Sequence, residues 1–346
     1  MNRTTLGQTG ISVSVLCLGT MTWGTQNSEA EGHVQMDMAL DHGIDFWDTA
    51  EMYPVNPVAV ETIGRTEEII GSWFRKTGRR SEVVLATKMA GKGGKARDGE
   101  PITPASIRRA LEASLRRLNT DHVDLYQFHW PNRGSYHFRQ IWDYDPSQQD
   151  RAETLQHMQD CLGTLADLVT EGRIRAFGLS NETVWGMAEW LRLAEAGAGP
   201  RAASVQNEYS LLCRYFDSDL AELAVNEDVT LLAYSPLAAG LLTGKYAPDV
   251  TPEGSRRSRT PDLGGRIAPR VWDAIAAYVD LARVQGMDPA QMAIAWILTR
   301  PFPVIPILGA TSEAQLRTAI GAADLVLAPE LLTAIGRIHR AHPMPY

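Results

Sequence analysis

Eight short runs of β-branched and apolar residues recur along this chain, with stretches of helical pattern between them. Strands that alternate with helices predict βα units arranged around a parallel sheet. Eight such units suit a closed barrel better than an open sheet, because closure leaves no edge strand unpaired. We therefore expect an α/β fold, a (β/α)8 barrel of the TIM type. The predicted strands are Val15–Gly19, Asp45–Thr49, Val83–Lys88, Val123–His129, Ile174–Ser180, Ala203–Glu208, Thr230–Ser235 and Val304–Gly309.

The clearest predicted helix is Thr103–Asn119, in which apolar residues recur every three or four positions. Ile107 and Leu111 lie on its apolar face, and arginines occupy the opposite face. Thr103 is the expected N-cap, and Pro104 follows at the first helical position, where its missing N–H costs nothing. The other predicted helices are Ala30–Asp41, Thr66–Lys76, Thr154–Thr170, Val184–Ala196, Asp217–Asn226, Arg270–Val284 and Glu313–Ala322.

Three segments lie outside the eight units. Arg3–Ser14, with two glycines between Thr- and Val-rich pieces, predicts a small hairpin that caps the bottom of the barrel. Asn132–Arg151 is too irregular for a helix or strand, and a long loop at this position is more often functional than accidental. Glu330–His339 predicts a final helix across the barrel. Because no linker or shift in composition divides the chain, we expect one domain over residues 1–346.

The overall charge gives no support for a polyanionic partner. The formal net charge is -8 and the pI is about 5.5, so we expect neither nucleic acid nor an anionic membrane as a partner. No segment reaches the ~20 apolar residues that span a membrane, which favours a soluble, cytoplasmic protein. The three cysteines are scattered without metal-ligand spacing, so we expect reduced packing residues and no metal site. No feature of the sequence distinguishes a monomer from a dimer in which two barrels pair through their outer helices.

Polar residues end three successive predicted strands. Asp48, Lys88 and His129 each follow an apolar run on strands 2, 3 and 4. Active sites of (β/α)8 barrels lie at the carboxyl ends of the strands, so these side chains should meet at one mouth. An acid, an amine and an imidazole in a low-dielectric cavity shift one another's pKa, which marks a functional site. A structural ion pair is the alternative interpretation.

Tyr53 follows Asp48 by one short loop and can fold back over the same mouth. A phenol is a weak acid at neutral pH, but a nearby ammonium stabilises the phenolate and lowers the phenol's pKa. Lys88 would supply that charge, and Asp48 would hold Lys88 charged and oriented. His129 would then donate to a substrate carbonyl oxygen, so the group suits protonation of a developing alkoxide. A surface or packing tyrosine is the alternative for Tyr53 taken alone.

Several motifs in this order resemble those of the aldo-keto reductase superfamily. They are Gly19-Thr20-Met21-Thr22-Trp23-Gly24, Asp48-Thr49-Ala50-Glu51-Met52-Tyr53, Asp124-Leu125-Tyr126-Gln127-Phe128-His129-Trp130, Gly178-Leu179-Ser180-Asn181, Gln206-Asn207-Glu208-Tyr209-Ser210, Ala233-Tyr234-Ser235-Pro236-Leu237 and Gly240-Leu241-Leu242-Thr243-Gly244-Lys245-Tyr246. The insertion at 132–151 resembles the bacterial Tas-like branch, which is related to potassium-channel β subunits. The resemblance implies an NADP(H)-dependent oxidoreductase that reduces aldehydes or ketones. It also implies a catalytic tetrad, which maps onto Asp48, Tyr53, Lys88 and His129.

The resemblance further implies an extended nicotinamide cofactor across the barrel mouth, bound without a Rossmann unit, and the chain indeed has no GxGxxG motif. Ser180, Asn181 and Gln206 would hold the carboxamide, and Tyr234 would stack on the ring. Gly19, Thr20, Met21 and Asp48 would complete the surroundings of the nicotinamide. The implied pyrophosphate contacts are the backbone amides of Ser235, Leu237, Gly240 and Leu241 and the ammonium of Lys245, and Pro236 is a further implied cofactor-binding residue. Taken alone, Ser235-Pro236-Leu237 would be an ordinary turn after a strand.

The implied adenosine end is the start of the last barrel helix, where free amides and the helix dipole attract phosphate. Gly309, Thr311 and Gln315 match the family there, as does Ser312. Arg256 or Arg257 would add a phosphate contact, so we expect NADPH rather than NADH. The sequence departs from the family where a Glu and an Asn usually lie near the adenine. Thr318 and Ala319 occupy those positions.

The predicted substrate pocket contains Trp23 and Trp130 beside Tyr53 and His129. Aromatic walls favour an apolar or aromatic carbonyl. The insertion adds four further aromatic side chains. They either line this pocket or anchor the insertion to the barrel rim, and the sequence favours neither alternative. The four side chains are Tyr136, Phe138, Trp142 and Tyr144.

Two other functions fit the same fold. A cofactor-sensing partner protein, like the potassium-channel β subunits, would bind NADPH with slow turnover. The acidic chain and the lack of a docking tail make us expect a reductase instead. A Schiff-base aldolase using Lys88 is the other alternative. The nearby Tyr53 and Asp48 fit hydride chemistry better.

Overall fold

The computed structural model describes residues 1–346 and contains a closed barrel of eight parallel strands. Each barrel strand pairs with the next in sequence, and the last pairs with the first, as at Leu308 and Leu18. The expected (β/α)8 fold is confirmed, and all eight strands lie within two residues of their predicted bounds. The strands are β1 Arg3–Thr5, β2 Ser12–Ser14, β3 Cys17–Gly19, β4 Phe46–Asp48, β5 Val84–Met89, β6 Val123–Phe128, β7 Ile174–Ser180, β8 Ala202–Glu208, β9 Thr230–Tyr234 and β10 Val304–Leu308.

Helices follow the barrel strands and cover the outside of the sheet. They are α1 Glu29–Asp41, α2 Arg65–Thr77, α3 Pro104–Leu118, α4 Arg151–Thr170, α5 Val184–Glu195, α6 Leu220–Asn226, α7 Arg256–Arg259, α8 Val271–Val284, α9 Pro289–Leu298, α10 Glu313–Ile320 and α11 Pro329–Ala341. The predicted cap of α3 is confirmed, because the Thr103 side chain accepts a hydrogen bond of 3.1 Å from the Ser106 N–H. Two helices, α7 and α9, were not predicted. No single helix is long and apolar enough to cross a membrane.

The hairpin predicted at Arg3–Ser14 is present as the antiparallel pair β1–β2. It closes one end of the barrel, because Leu6, Ile11 and Val13 pack in one cluster with side chains from all eight barrel strands. The Gly7 N–H also donates to Thr230 Oγ1 at 2.9 Å, across the bottom of β9. The hairpin is therefore part of the barrel interior rather than a loose appendage.

The insertion after β6 contains neither helix nor strand between Asn132 and Asp150, as expected. It lies at the carboxyl end of the strands, on the opposite side of the barrel from the hairpin. The three cysteines are free and buried, which confirms their interpretation as packing residues. Burial raises the pKa of Cys17, so this thiol stays protonated.

Candidate active site

Asp48 and Lys88 form a buried ion pair at the carboxyl ends of β4 and β5. Lys88 Nζ donates to Asp48 Oδ2 at 2.5 Å and to the Thr49 carbonyl oxygen at 2.8 Å. The other Asp48 oxygen accepts from the side-chain amides of Gln127 at 3.0 Å and Gln206 at 2.9 Å. Both oxygens of Asp48 are thus fixed by partners from β5, β6 and β8. The carboxylate is held in one orientation and in turn fixes the ammonium.

Tyr53 lies over this pair, as the sequence predicted. Lys88 Nζ is 5.0 Å from the centroid of the Tyr53 ring, and the ring centroids of Tyr53 and His129 are 5.8 Å apart. All four side chains of the predicted tetrad are buried at the same mouth. The structure therefore brings together residues from β4, β5, the loop after β4, and the end of β6.

The protonation states follow from burial and from Lys88. Burial raises the pKa of the Tyr53 phenol, and the Lys88 ammonium opposes this only in part. The expectation that Lys88 brings this pKa below its ordinary value is therefore wrong, because desolvation of the phenolate outweighs the ammonium. Burial alone would lower the pKa of Lys88, but Asp48 and Tyr53 outweigh it and raise that pKa. Burial, with Lys88, holds the pKa of His129 well below its usual value.

At neutral pH the site therefore holds a protonated phenol, a charged ammonium and a neutral imidazole. The His129 Nδ1 atom is buried without a hydrogen-bond partner. A neutral imidazole and a phenol can both donate to a carbonyl oxygen, and neither brings a full charge into the cavity. This arrangement is suited to proton donation to an oxygen that gains negative charge.

A cavity of about 900 Å³ opens above the tetrad and extends between the loops after β9 and β10. Asp48, Tyr53 and His129 lie at one end of its wall. The cavity wall also contains Trp130 and nearly every predicted cofactor residue: Gly19, Thr20, Met21, Ser180, Asn181, Gln206, Tyr234, Ser235, Pro236, Leu237, Gly240, Lys245, Arg256, Gly309, Thr311 and Gln315. Thr318 and Ala319 lie on this wall too, near Gln315.

Three of the predicted catalytic, cofactor and pocket residues lie outside the cavity wall: Trp23, Leu241 and Lys88, the last of which forms the ion pair with Asp48. Trp23 is fully buried, its Nε1 donates to Gln35 Oε1 at 3.1 Å, and its ring packs against Gly32 of α1. This placement corrects its expected position in the substrate pocket. The Leu241 side chain is also fully buried and belongs to the hydrophobic core, whereas the contact predicted for Leu241 is through its backbone amide and stays a prediction. Sequence position alone did not reveal that the Trp23 side chain faces α1.

The Asn181 side chain connects His129 of the tetrad to Tyr234. Its backbone has a φ of 52°, a left-handed conformation that non-glycine residues seldom adopt. Its Nδ2 donates to the His129 carbonyl oxygen at 2.9 Å, and its Oδ1 accepts from the Tyr234 hydroxyl at 2.8 Å. Ser180 Oγ donates to the Gln206 carbonyl oxygen at 2.8 Å. The ends of β6, β7, β8 and β9 are thereby joined by side chains.

Arg256 lies in the part of the cavity formed by the loop after β9. Burial, together with Arg266, lowers the pKa of Arg256 to about 10. Its Nε is buried without a partner, as are Asn56 Nδ2 and Gln26 Nε2 on the facing loops. Arg257, the other predicted candidate, instead donates to the carbonyl oxygens of Pro248 at 2.8 Å and of Val250 at 3.1 Å. Of the two predicted arginines, Arg256 is therefore the one that lines the cavity with an unpartnered donor.

A second buried charge cluster surrounds Glu208 at the end of β8, and the sequence analysis missed it. Arg266 Nε donates to Glu208 Oε1 at 2.8 Å, and Arg139 Nη1 donates to Oε2 at 2.8 Å. The Tyr346 hydroxyl donates to Oε1 at 3.1 Å. Arg266 and Arg139 line the cavity. The strand-end rule that found Asp48 could have found Glu208, but its partners are too far along the chain to be read from a pattern.

Trp130 forms the outer wall of the cavity near the tetrad. Its Nε1 donates to the Lys92 carbonyl oxygen at 3.1 Å, and its ring lies 6.0 Å from that of Phe138. Phe138 also lines the cavity. Trp142 is 58% exposed and packs under Arg270. It therefore anchors the insertion and does not line the pocket. Tyr136 and Tyr144 pack on each other, with ring centroids 6.0 Å apart.

Comparison with known proteins gives a consistent assignment. The sequence model described as "Aldo/keto reductase family" matches residues 15–340. "Protein tas" of Escherichia coli (strain K12) is 42% identical over 341 residues, covering 97% of this chain and 96% of that protein. "Uncharacterized oxidoreductase YrpG" of Bacillus subtilis is 34% identical, covering 98% and 96%. "Probable voltage-gated potassium channel subunit beta" of Arabidopsis thaliana is 29% identical, covering 99% and 98%. The resemblance to the Tas-like branch is confirmed.

Proposed function

The chain belongs to the aldo-keto reductase family of oxidoreductases, and on that premise we propose that it reduces aldehydes or ketones to alcohols with NADPH. The observation that carries this proposal is the buried Lys88–Asp48 pair beneath the Tyr53 phenol, at the end of a large cavity. NADPH would supply the hydride that is delivered to the carbonyl carbon. The protein would supply the proton and the orientation of the reacting groups.

The cavity residues fit such a cofactor. Arg256 is a partly buried cation whose Nε has no partner, and Lys245 lies on the same wall, so this region favours phosphate over a neutral group. Tyr234 and Asn181 lie near the tetrad, where a flat amide-bearing ring could stack and be held. Thr311 precedes α10 and Gln315 lies in its first turn, where they would meet the adenosine phosphate at the helix start. We therefore propose NADPH as the preferred nucleotide, with Thr318 and Ala319 adding little to its adenine end.

Tyr53 acts as the general acid in this proposal. A carbonyl oxygen placed between the Tyr53 hydroxyl and the His129 ring would accept from both as negative charge develops on it. The Tyr53 proton passes to that oxygen, and the Lys88 ammonium stabilises the phenolate that remains. Asp48 acts through Lys88, because it keeps the ammonium charged and aimed. Neutral His129 donates a hydrogen bond that orients the oxygen, and it keeps its own proton.

The substrate end of the cavity is lined by apolar and aromatic side chains. Trp130 and Phe138 form one side, and Met52, Val55 and Val58 lie on the loop after β4. Burial of apolar surface favours a carbonyl compound with an aromatic or aliphatic body. We propose small molecules of this kind as substrates, handled in the cytoplasm.

A cofactor-sensing role is the second candidate, supported by the 29% identity to the Arabidopsis potassium-channel β subunit. Such a protein would bind NADPH tightly and turn over slowly. The aldolase alternative is not supported, because a Schiff base needs a neutral amine. Asp48 and Tyr53 raise the pKa of Lys88 despite its burial, so the amine stays charged.

The test is fluorescence titration of the purified protein with NADPH and with NADH, followed by absorbance decay with 4-nitrobenzaldehyde. We expect tighter binding of NADPH and steady consumption of it once the aldehyde is added. Tight binding without turnover would favour the sensor. Binding of neither nucleotide would overturn the proposed function.

A further inference from the structure

The insertion after β6 contacts the loop after β7 and the end of β8 through residues 133–139. Arg133 forms a buried ion pair with Glu182, and Ser135 Oγ donates to the Asn181 carbonyl oxygen at 2.8 Å. His137 Nε2 lies 3.1 Å from the Glu182 carbonyl oxygen. Arg139 adds its contact with Glu208. We call residues 133–139 the positioning arm.

The acceptors of the positioning arm are not scattered over the rim. Asn181 and Glu182 directly follow β7, and Glu208 ends β8, which is two residues beyond Gln206. These strand ends also carry Asn181, which donates to the His129 carbonyl oxygen, and Gln206, which donates to Asp48. The remaining part of the insertion, residues 140–150, is mostly exposed and carries Trp142 at its outer surface. The two parts of the insertion therefore differ in what they contact.

Ser135 hydrogen-bonds to Asn181, the residue that connects His129 to Tyr234. Asn181 is left-handed at φ 52° and connects His129 to Tyr234 through its side chain. A left-handed asparagine persists where surrounding contacts fix it. Ser135 Oγ fixes the Asn181 carbonyl, and His137 fixes the next carbonyl along the chain. Rotation of this peptide would move the Tyr234 ring and His129 relative to each other.

We propose that the positioning arm, through Ser135 and His137, sets the orientation of the nicotinamide relative to the carbonyl, a role that rests on the proposed function. Ser135 and His137 touch neither substrate nor cofactor in this proposal; they are positioning residues that act through Asn181. The insertion then governs the rate of the chemical step as well as the shape of the pocket. The outer part, 140–150, has no such role.

The test is Ser135→Ala in the full chain, with kcat, the aldehyde KM and the NADPH Kd measured together. We expect kcat to fall by at least about tenfold while KM and Kd change little, because misplacement of reacting atoms slows chemistry more than binding. The deuterium isotope effect on kcat, measured with NADPH labelled at the transferred position, should rise as the hydride step becomes more limiting. Ser135→Thr keeps the hydroxyl and should restore kcat.

Ser147→Ala in the exposed part of the insertion is the matched control and should leave all four quantities unchanged. Arg139→Met removes another contact of the positioning arm. Like Ser135→Ala, it should lower kcat and raise the isotope effect. A Ser135→Ala protein with the wild-type kcat and isotope effect would overturn the inference. The inference would also be overturned if kcat fell only because less of the protein was active and the isotope effect stayed at the wild-type value. A wild-type protein that fails to turn over would instead remove the proposed function on which the inference rests.

Discussion

At Tyr53, burial of a phenol and the charge of a neighbouring ammonium act in opposite directions on one pKa, and burial prevails. In the proposed reaction the proton therefore stays on the phenol until the substrate oxygen gains charge. Tyr53→Phe removes the proposed proton donor while leaving the ring in place. We expect kcat to fall by about 10²–10⁴-fold, the usual contribution of a positioned acid, with NADPH affinity nearly intact.

Steady-state kinetics and NADPH titration of the same preparation check this prediction. Lys88→Met should lower kcat in the same way, since the phenolate would lose its stabilising charge. Loss of NADPH binding in Tyr53→Phe would show that the assigned role is wrong. Normal turnover in both variants would make the tetrad assignment untenable.

His137 gives a prediction about pH and stability. Burial lowers its pKa to about 4, below the ordinary ~6.5 expected in the unfolded chain. The unfolded chain then binds more protons between these values, so the free energy of unfolding decreases as the pH falls through this range. Between pH ~7.5 and ~5 the loss from His137 should be about 2 kcal/mol.

His137→Gln should lose less stability over the same pH range, because glutamine does not titrate and its amide can still donate to the Glu182 carbonyl. Urea unfolding at the two pH values measures the difference. Equal losses in the variant and the wild type would show that His137 is not the titrating group.

The sequence identified Asp48, Lys88 and His129 because each is a polar residue that ends an apolar strand. The same reasoning could not give the partners of Glu208, since Arg139 and Arg266 come from loops whose paths no local pattern specifies. Trp23 was misplaced for a related reason. A tryptophan beside a strand end can face the cavity or the helices, and its packing on Gly32 decides this.

At the scale of elements, close packing of α2 on α3 depends on one glycine. A Cβ built on Gly71 would overlap the Arg117 carbonyl oxygen. Gly71→Ala should therefore lower the free energy of unfolding by about 1–3 kcal/mol, because backbone must shift to admit the methyl group. Gly163 of α4 is the control, since a Cβ there meets nothing within 4 Å.

Gly163→Ala should raise the free energy of unfolding by about 0.5–1 kcal/mol through helix propensity. Urea unfolding of the two variants measures both effects. A Gly71→Ala protein as stable as the wild type would mean that α2 and α3 are less closely packed than described.

The eight strands were predictable because each is a short run of β-branched and apolar residues between stretches of helical pattern, whereas α9 was not predicted. Helix α9 is apolar on all sides, with seven of its residues buried, so it lacks the alternation that marks an amphipathic helix. Its start could have been found from Asp288 and Pro289. The Asp288 side chain accepts from the Ala290 N–H at 2.8 Å, as an N-cap does.

At the scale of the whole molecule, we propose that residues 1–346 form one domain. The first and last barrel strands pair with each other, so removal of any strand opens two edges at once. Urea unfolding followed by circular dichroism and by tryptophan fluorescence should therefore give coincident transitions. Two separated transitions would divide the chain into independent units.

The hairpin should contribute to global stability although it lies outside the eight βα units. Leu6 is fully buried in the cluster that fills the barrel bottom. Leu6→Ala should lower the free energy of unfolding by about 2–5 kcal/mol, the usual result of truncating a buried leucine. Val284→Ala, at a side chain that is 81% exposed, should change it by less than about 0.5 kcal/mol. A small effect at Leu6 would show that the hairpin is dispensable.

The cluster beneath the barrel also has a consequence for biosynthesis. Leu6 leaves the ribosome about 300 residues before Ile305 of β10, which belongs to the same cluster. At a synthesis rate of ~5–20 residues per second, the delay between the two is about 15–60 s. During that interval β3 has an edge without its final neighbour, and the apolar side chains of the hairpin have no complete barrel to enter. The nascent chain must therefore remain unassociated with other chains until its last strand emerges.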